Sequence, residues 1–204
     1  MTELVDFEKT YWDNGEVILG IDEAGYGCLA GSMFIAGVIF PINFIVPPEL
    51  QGVRDSKKTD RAQRATLAAA IKKFATHSFV LEVDVSTINA GSAYHLRFST
   101  PQAYINTASF PENTRVIMDG DRSIEKIPYG SESLIKGDSK SFSIAAASIL
   151  AKNAKDLEMD KLHLTYPSYG FDTNQGYGTE LHINAIRKVG VTAAHRAAYV
   201  KRFE

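Results

Sequence analysis

An α/β fold is what this sequence predicts, and three observations predict it. Short apolar runs of strand length recur at residues 17–21, 33–40, 78–85 and 115–118. Helix-favouring segments lie among them, alanine-rich at 60–74 and built of small residues at 141–164. Two of the runs end on acids followed by glycine, as Asp22-Glu23-Ala24-Gly25 and Asp119-Gly120, and the strand ends of an α/β sheet are where ligands bind.

Residues 1–16 are polar with scattered aromatics and read as a lead-in closed by the turn signal Asn14-Gly15. The run 17–21 suits a strand buried on both faces. Successive strand residues point to opposite faces, so Asp22 and Glu23 serve one site only if the strand stops at them and the chain bends. Gly25 and Gly27 supply that bend, and their bare N–H groups can hold an anion. The competing reading is an acidic pair in a surface turn. The run 33–40, closed by Pro41, follows closely enough to pair antiparallel with the first.

After a loop at Pro47-Pro48, the helix 60–74 has Ser56 or Thr59 as its expected cap. Lys57, Lys58, Arg61 and Arg64 gather positive charge near its start, where the helix dipole also favours an anion. A solvated helix face is the alternative there. A strand at 78–85 leads into a segment to about 108 with helical character, interrupted at Pro101. The segment 124–135 is irregular or β. Asp138 stands at the mouth of the helix that begins near 141, either as a site residue or simply as its N-cap. In the tail, Tyr166-Pro167-Ser168-Tyr169-Gly170-Phe171 and Gly176-Tyr177-Gly178-Thr179 form a loop suited to stacking on sugars or bases, or else a packed aromatic turn. Two short helices, 179–189 and 192–203, are expected after it.

With 204 residues, 45% of them hydrophobic, the chain supports one core, so a single domain is expected, with 17–165 as its body and 166–204 as a C-terminal extension. A net charge of −2 provides no molecule-wide basic field, and any polyanion must be held by a local patch. The lone Cys28 excludes an internal disulfide and matches no zinc spacing, which fits a reducing cytoplasm. The acidic N-terminus lacks an apolar signal core, and no run approaches the roughly 18 apolar residues of a membrane span. A soluble cytoplasmic monomer without membrane contact is the expectation.

Asp22, Glu23, Asp119 and Asp138 each fall at a strand end or a helix start, positions that an α/β sheet gathers at one edge. Carboxylates crowded there repel one another unless cations hold them. Oxygen-only ligation suits Mg²⁺ or Mn²⁺, and two such ions about 4 Å apart clamp the attacking and leaving oxygens of a phosphoryl displacement. Metal-assisted hydrolysis of a phosphodiester is the reaction class that follows.

The segments Gly20-Ile21-Asp22-Glu23-Ala24-Gly25, Asp55-Ser56-Lys57-Lys58, Asp119-Gly120, Lys136-Gly137-Asp138, Ala145-Ala146-Ala147-Ser148-Ile149-Leu150-Ala151-Lys152, the two tyrosine–glycine segments of the tail and His195-Arg196 occur in the order found in type 2 ribonucleases H. From about residue 17 to about 200 the chain resembles this ribonuclease HII family. The resemblance implies an RNase H-like fold, with a mixed five-stranded sheet flanked by helices and a C-terminal helical extension. It implies endonucleolytic cleavage of RNA in RNA–DNA hybrids, and cleavage 5′ to single ribonucleotides embedded in DNA. The family's metal-binding acids fall on Asp22, Glu23, Asp119 and Asp138. The glycine turn whose backbone contacts the ribose 2′-OH falls on Gly25, Tyr26 and Gly27, the sugar-packing tyrosine on Tyr177, and a phosphate-contacting lysine on Lys57.

The chain departs from the family pattern in three places, one of them the spacer between the third strand and Asp119. It also has Tyr26 and Cys28 where Arg and Pro are usual, and Asn174-Gln175 where His-Lys is usual. The last two departures remove positive charge beside the nucleic acid, and Tyr cannot give the bidentate phosphate contact of Arg. The alternative function is a paralogue that binds hybrids or branched DNA and cleaves weakly or differently. Retention of all four acids favours the enzyme. The tail carries no recognisable clamp-binding peptide, which leaves a sliding-clamp contact open.

Overall fold

The computed structural model of the chain describes residues 2–54 and 59–203; Lys57, Lys58 and Ser56 lie outside the described residues. The first apolar run extends further than its apolar residues do. It forms β1 (Val17–Ala24), flanked by β2 (Met33–Ile39), β3 (His77–Val83), β4 (Thr114–Asp119) and β5 (Gly130–Leu134) in the spatial order β3-β2-β1-β4-β5. β2 pairs antiparallel with β1 and β3, while β4 runs parallel to β1 and β5. The sheet is therefore mixed and five-stranded, as the family resemblance implied.

The sheet's period-two alternation sorts its side chains between two layers. Leu19, Ile21, Ile35, Phe79 and Val116 face one core, completed by Ile88 of α3 (Val85–Ala90) and by Ala93 and Ile105 of α4 (Ala93–Thr107). Ala36 and Val38 face the other, completed by α1 (Thr2–Trp12), α2 (Arg61–Phe74) and α5 (Phe142–Thr165). α5 lies almost on the strands, because it offers Ala145, Ala146, Ala147 and Ala151 and because β1 offers Gly20 beneath it. A Cβ at Gly20 would stand 2.4 Å from the Ile144 backbone nitrogen, so any side chain there would push the helix off the sheet. Full burial of Ile144 and Ile149 contributes about 1.5–3 kcal/mol each.

The structure corrects several expectations. Residues 1–16 are not a lead-in: α1 packs into the core and delivers the buried Glu8, which accepts hydrogen bonds from Ser141 Oγ (2.6 Å), Ser143 N (2.9 Å) and Ser143 Oγ (3.0 Å) at the start of α5. The cap of α2 is Asp60, whose carboxylate accepts from Gln63 N, and Thr59 does not hold that place. α4 continues through Pro101 although the ring removes one N–H bond and crowds the Arg97 carbonyl, because burial of Ala93, Pro101 and Ile105 holds the helix; the break falls earlier, at Gly91. Of the basic cluster at the start of α2, the two described members are committed within the fold: Arg61 pairs with Asp160 and Arg64 with the buried Asp156 at 2.8 Å.

After α5 the chain forms α6 (Phe171–Asn174), α7 (Glu180–Val189) and α8 (Ala197–Val200), which close a third core around Tyr169, Phe171, Ile186 and Val200 against Leu29 and Ala30. Among the described residues no helix is long and apolar enough to cross a membrane.

Candidate active site

β1 remains paired with β2 as far as Ala24, whereas its pairing with β4 ends at Ile21 opposite Met118. Beyond that point the two parallel strands separate, and the gap opens at the place where antiparallel and parallel neighbours meet. A cleft of about 220 Å³ lies there, lined by Asp22, Glu23, Gly25, Tyr26, Gly27, Asp119, Asp138, Ser148, Lys152 and Tyr177 among others. Every site residue expected from the sequence lies on this cleft except Lys57, which is outside the described residues.

The first strand does not stop at its acids, so the expected bend is not what brings them to the cleft. Asp22 and Glu23 stand within β1 on opposite faces, and each meets a different helix layer. Asp22 is nearly buried; it accepts the Glu23 N–H at 2.7 Å and bonds with Ser148 of α5. Burial raises its pKa well above the ordinary carboxylate value, and the charges of Glu23 and Asp119 push it further. Glu23 turns to the other layer, where Arg97 of α4 lies 2.9 Å from Oε2. Burial raises the Glu23 pKa and Arg97 draws it back.

Asp119 ends β4, with Oδ1 accepting the Gly137 N–H at 2.6 Å, while its own carbonyl accepts from Arg97 Nη2 at 2.9 Å. Asp138 sits half-buried in the short turn Gly137–Ser139 before α5; the cap of that helix is Ser141, which disposes of the N-cap reading of Asp138. Among the described residues, no three His, Cys, Asp or Glu side chains form a ready-made cation cage. Arg97 on Glu23 and the Gly137 N–H on Asp119 hold the acids to the cleft walls. The donor set is oxygen alone and its like charges face one another, which suits a hard divalent cation rather than zinc.

The glycine turn beside the acids is shaped from behind. Gly25 has φ +84°, and a Cβ there would lie 2.9 Å from the Ser32 carbonyl. Arg196, fully buried, donates to the carbonyls of Gly25 (2.7 Å), Tyr26 (2.7 Å) and Gly31 (2.9 Å). Lys155, equally buried, donates to those of Ala30 and Ser32. The Tyr26 ring packs on the α4 side, with the Arg97 guanidinium 5.7 Å from its centroid. Tyr177 is 44% exposed on the opposite wall. Burial of its hydroxyl and the Cys28 thiol beside it raise its pKa to about 12, so the phenol keeps its proton at neutral pH.

Asn174 and Gln175 do not reach the cleft. Asn174 is buried, bonding to the Tyr169 carbonyl and the Gly176 N–H, and Gln175 folds back onto the Phe171 carbonyl. Sequence reasoning passed over Arg97 and Ser148, and gave Lys152 no role although it lines the cleft and pairs with Asp156 at 2.7 Å. The available signal for Ser148 and Lys152 was their spacing of four on a small-residue helix, which sets both on one face. Arg97 had no local signal.

A family model described as Ribonuclease HII matches residues 19–203. The Ribonuclease HII of Pelodictyon phaeoclathratiforme is 40% identical over 198 residues, which cover 96% of this chain and 95% of the relative. Among solved structures, the ribonuclease H2 from Pyrococcus horikoshii is similar with a TM-score of 0.75 at 22% identity, over 92% of this chain and 97% of that one. The RNase HII of Archaeoglobus fulgidus, solved in complex with PCNA, is similar with a TM-score of 0.70 at 25% identity, over 88% and 93%.

Proposed function

The chain belongs to the ribonuclease HII family, and on that premise we propose that it cleaves the RNA strand of RNA–DNA hybrids and nicks DNA on the 5′ side of single embedded ribonucleotides, by two-metal-ion hydrolysis in the cytoplasm. Ribonuclease H endonuclease activity comes with the family. One observation supports two-metal cleavage beside a ribonucleotide most: four carboxylates from β1, β4 and the turn before α5 line one cleft together with a glycine turn and a tyrosine.

Mg²⁺ or Mn²⁺ held by Asp22, Glu23, Asp119 and Asp138 would supply the charge that activates water and neutralises the phosphoryl oxygens. The chain's own groups do the rest. Asp22 is fixed in place by Ser148 and the Glu23 N–H, so it needs no reorganisation when substrate arrives. Glu23 is shared between Arg97 and the cleft, and Arg97 sets its direction. The carbonyls of Gly25 and Tyr26 are occupied by Arg196, which leaves the N–H side of the turn to face the sugar. The protonated Tyr177 hydroxyl can donate to or accept from the ribose 2′-OH, and its ring offers the sugar an apolar face.

One observation favours a weaker grip on substrate than the family pattern carries. Tyr26 lies against Arg97, and Asn174 and Gln175 bond back into the fold, so neither departure from the pattern puts a cation on the cleft. The two readings separate in a cleavage assay on an RNA–DNA hybrid beside a binding assay on the same duplex. Cleavage in Mg²⁺ or Mn²⁺ supports the enzyme, whereas binding without cleavage would support the hybrid- or branched-DNA-binding paralogue.

A further inference from the structure

The dipeptide His195-Arg196 lies in the C-terminal extension, outside the cleft, yet its two side chains run toward the two halves of the cleft wall. Its backbone is stitched to the glycine turn: the Arg196 N–H donates to the Leu29 carbonyl (2.8 Å), and the Gly31 N–H donates to that of Ala194 (2.8 Å). The Arg196 guanidinium then takes the carbonyls of Gly25, Tyr26 and Gly31. His195 points the other way, into a cluster with Tyr169, Phe171 and His182.

The proton positions of the histidine pair follow from their neighbours. A backbone N–H can only donate, so the bond from Thr192 N to His195 Nδ1 (3.0 Å) makes Nδ1 an acceptor and puts the proton of neutral His195 on Nε2. That proton faces His182 Nε2 at 3.2 Å, which must accept it. The proton of His182 is therefore on Nδ1, and it donates to the Tyr177 carbonyl at 2.9 Å. The result is a one-way chain, from Thr192 through His195 and His182 to the backbone of Tyr177. The Thr179 N–H meets the same carbonyl at 2.8 Å, so the peptide plane of Tyr177 is held from two sides.

We propose that His195 and Arg196 are a positioning pair for the ribose-reading wall, with Arg196 fixing the Gly25–Gly27 turn and His195, through His182, fixing Tyr177. The inference rests on the ribonuclease HII reading and deepens it. Reading a single hydroxyl needs both sides of the wall placed to within about 0.5 Å, and a misplacement of about 1 Å can cost 10²-fold in rate. One dipeptide serving both sides makes their separation a fixed dimension of the fold.

The test uses Arg196→Lys, which keeps the charge and loses the fork; His182→Phe, which keeps a ring and loses both bonds; and His182→Asn, whose amide nitrogen still reaches toward the Tyr177 carbonyl. Hydrogen exchange followed by mass spectrometry needs no activity. Faster exchange confined to residues 25–31 in Arg196→Lys and to 176–179 in His182→Phe, with β1 and α5 unchanged, is the expected result. Unchanged exchange in those segments would overturn the proposal. Loss of protection throughout β1 and α5 would mark Arg196 as a general fold support and overturn its half.

On a duplex with one ribonucleotide, His182→Phe should lower kcat/KM about tenfold or more in the wild-type background and less than about twofold in a Tyr177→Ala background, with His182→Asn recovering most of the loss. Equal losses in both backgrounds would show that His182 does not act through Tyr177. If the wild-type protein cleaves neither hybrid nor single-ribonucleotide duplex, the functional reading fails by itself, and the exchange data still decide the positioning claim.

Discussion

Replacing Arg97 by Met asks whether an internal cation holds the acidic cleft together. The guanidinium lies 2.9 Å from Glu23 Oε2, with the two side chains only 15% and 12% exposed, and it also donates to the Asp119 carbonyl at 2.9 Å. Removing one partner of a buried ion pair costs about 3–5 kcal/mol, and residual solvent access here brings the expectation to about 3 kcal/mol. For a chain of this size that corresponds to a fall in Tm of about 6–12 °C in metal-free buffer. A divalent cation bound at Glu23 would take over the role that Arg97 plays for it, and ligand at 100 times its Kd stabilises by about 2.7 kcal/mol. Loss of the guanidinium also frees Glu23 to bind that cation, so saturating Mg²⁺ should narrow the gap between Arg97→Met and wild type by about 1 kcal/mol or more. Urea denaturation of both proteins with and without Mg²⁺ measures this. A loss below about 1 kcal/mol, or a loss of the same size in both buffers, would refute the account of Arg97.

Asp119→Asn should abolish cleavage while leaving the fold intact, since the amide oxygen can still accept the Gly137 N–H; with one like charge gone, metal-free stability should rise by about 1 kcal/mol, and wild-type turnover by this variant would remove the metal mechanism. Tyr26→Arg sets a second guanidinium where a ring now lies 5.7 Å from that of Arg97, so hybrid affinity should stay the same or weaken; tighter binding with a salt slope steeper by about one counterion would instead reveal a lost phosphate contact. Burial and His182 lower the pKa of His195 to about 4, beneath its unfolded value of 6.5, so the unfolded chain binds the proton first and stability is withdrawn as pH falls through that window. Asp22, raised by burial and its acidic neighbours, acts in the opposite sense, so the comparison is with His195→Asn: the wild-type advantage in urea midpoint should shrink between pH 7.5 and 4.5, and parallel curves would contradict it.

The sequence revealed what depends on local pattern. The apolar runs at Val17 and Val116, the acids that follow them and the change of period near Ser141 place two strands, one long helix and four carboxylates before any contact is known. The reading failed where a long-range partner decides. Glu8 is buried because the start of α5, more than 130 residues away, presents two serines and an N–H to it, and nothing between Thr2 and Trp12 announces that partner. Arg97 reaches Glu23 across 74 positions from a helix with Pro101 inside it. β1 outruns its apolar residues because Ala36, Ile35 and Phe34 go on pairing opposite Asp22, Glu23 and Ala24, while each acid finds a polar partner on its own face. Arg61 and Arg64, whose place at a helix start suits an anion, have acids of α5 as their partners.

Incubating the protein with a duplex that carries one ribonucleotide in a DNA strand, in Mg²⁺ and in Mn²⁺, tests the central claim most directly. The account predicts a single nick on the 5′ side of the ribonucleotide, leaving a 5′-phosphate on it, and no cleavage of the all-DNA duplex. An intact ribonucleotide strand in both metals, or equal nicking of the all-DNA duplex, would contradict it.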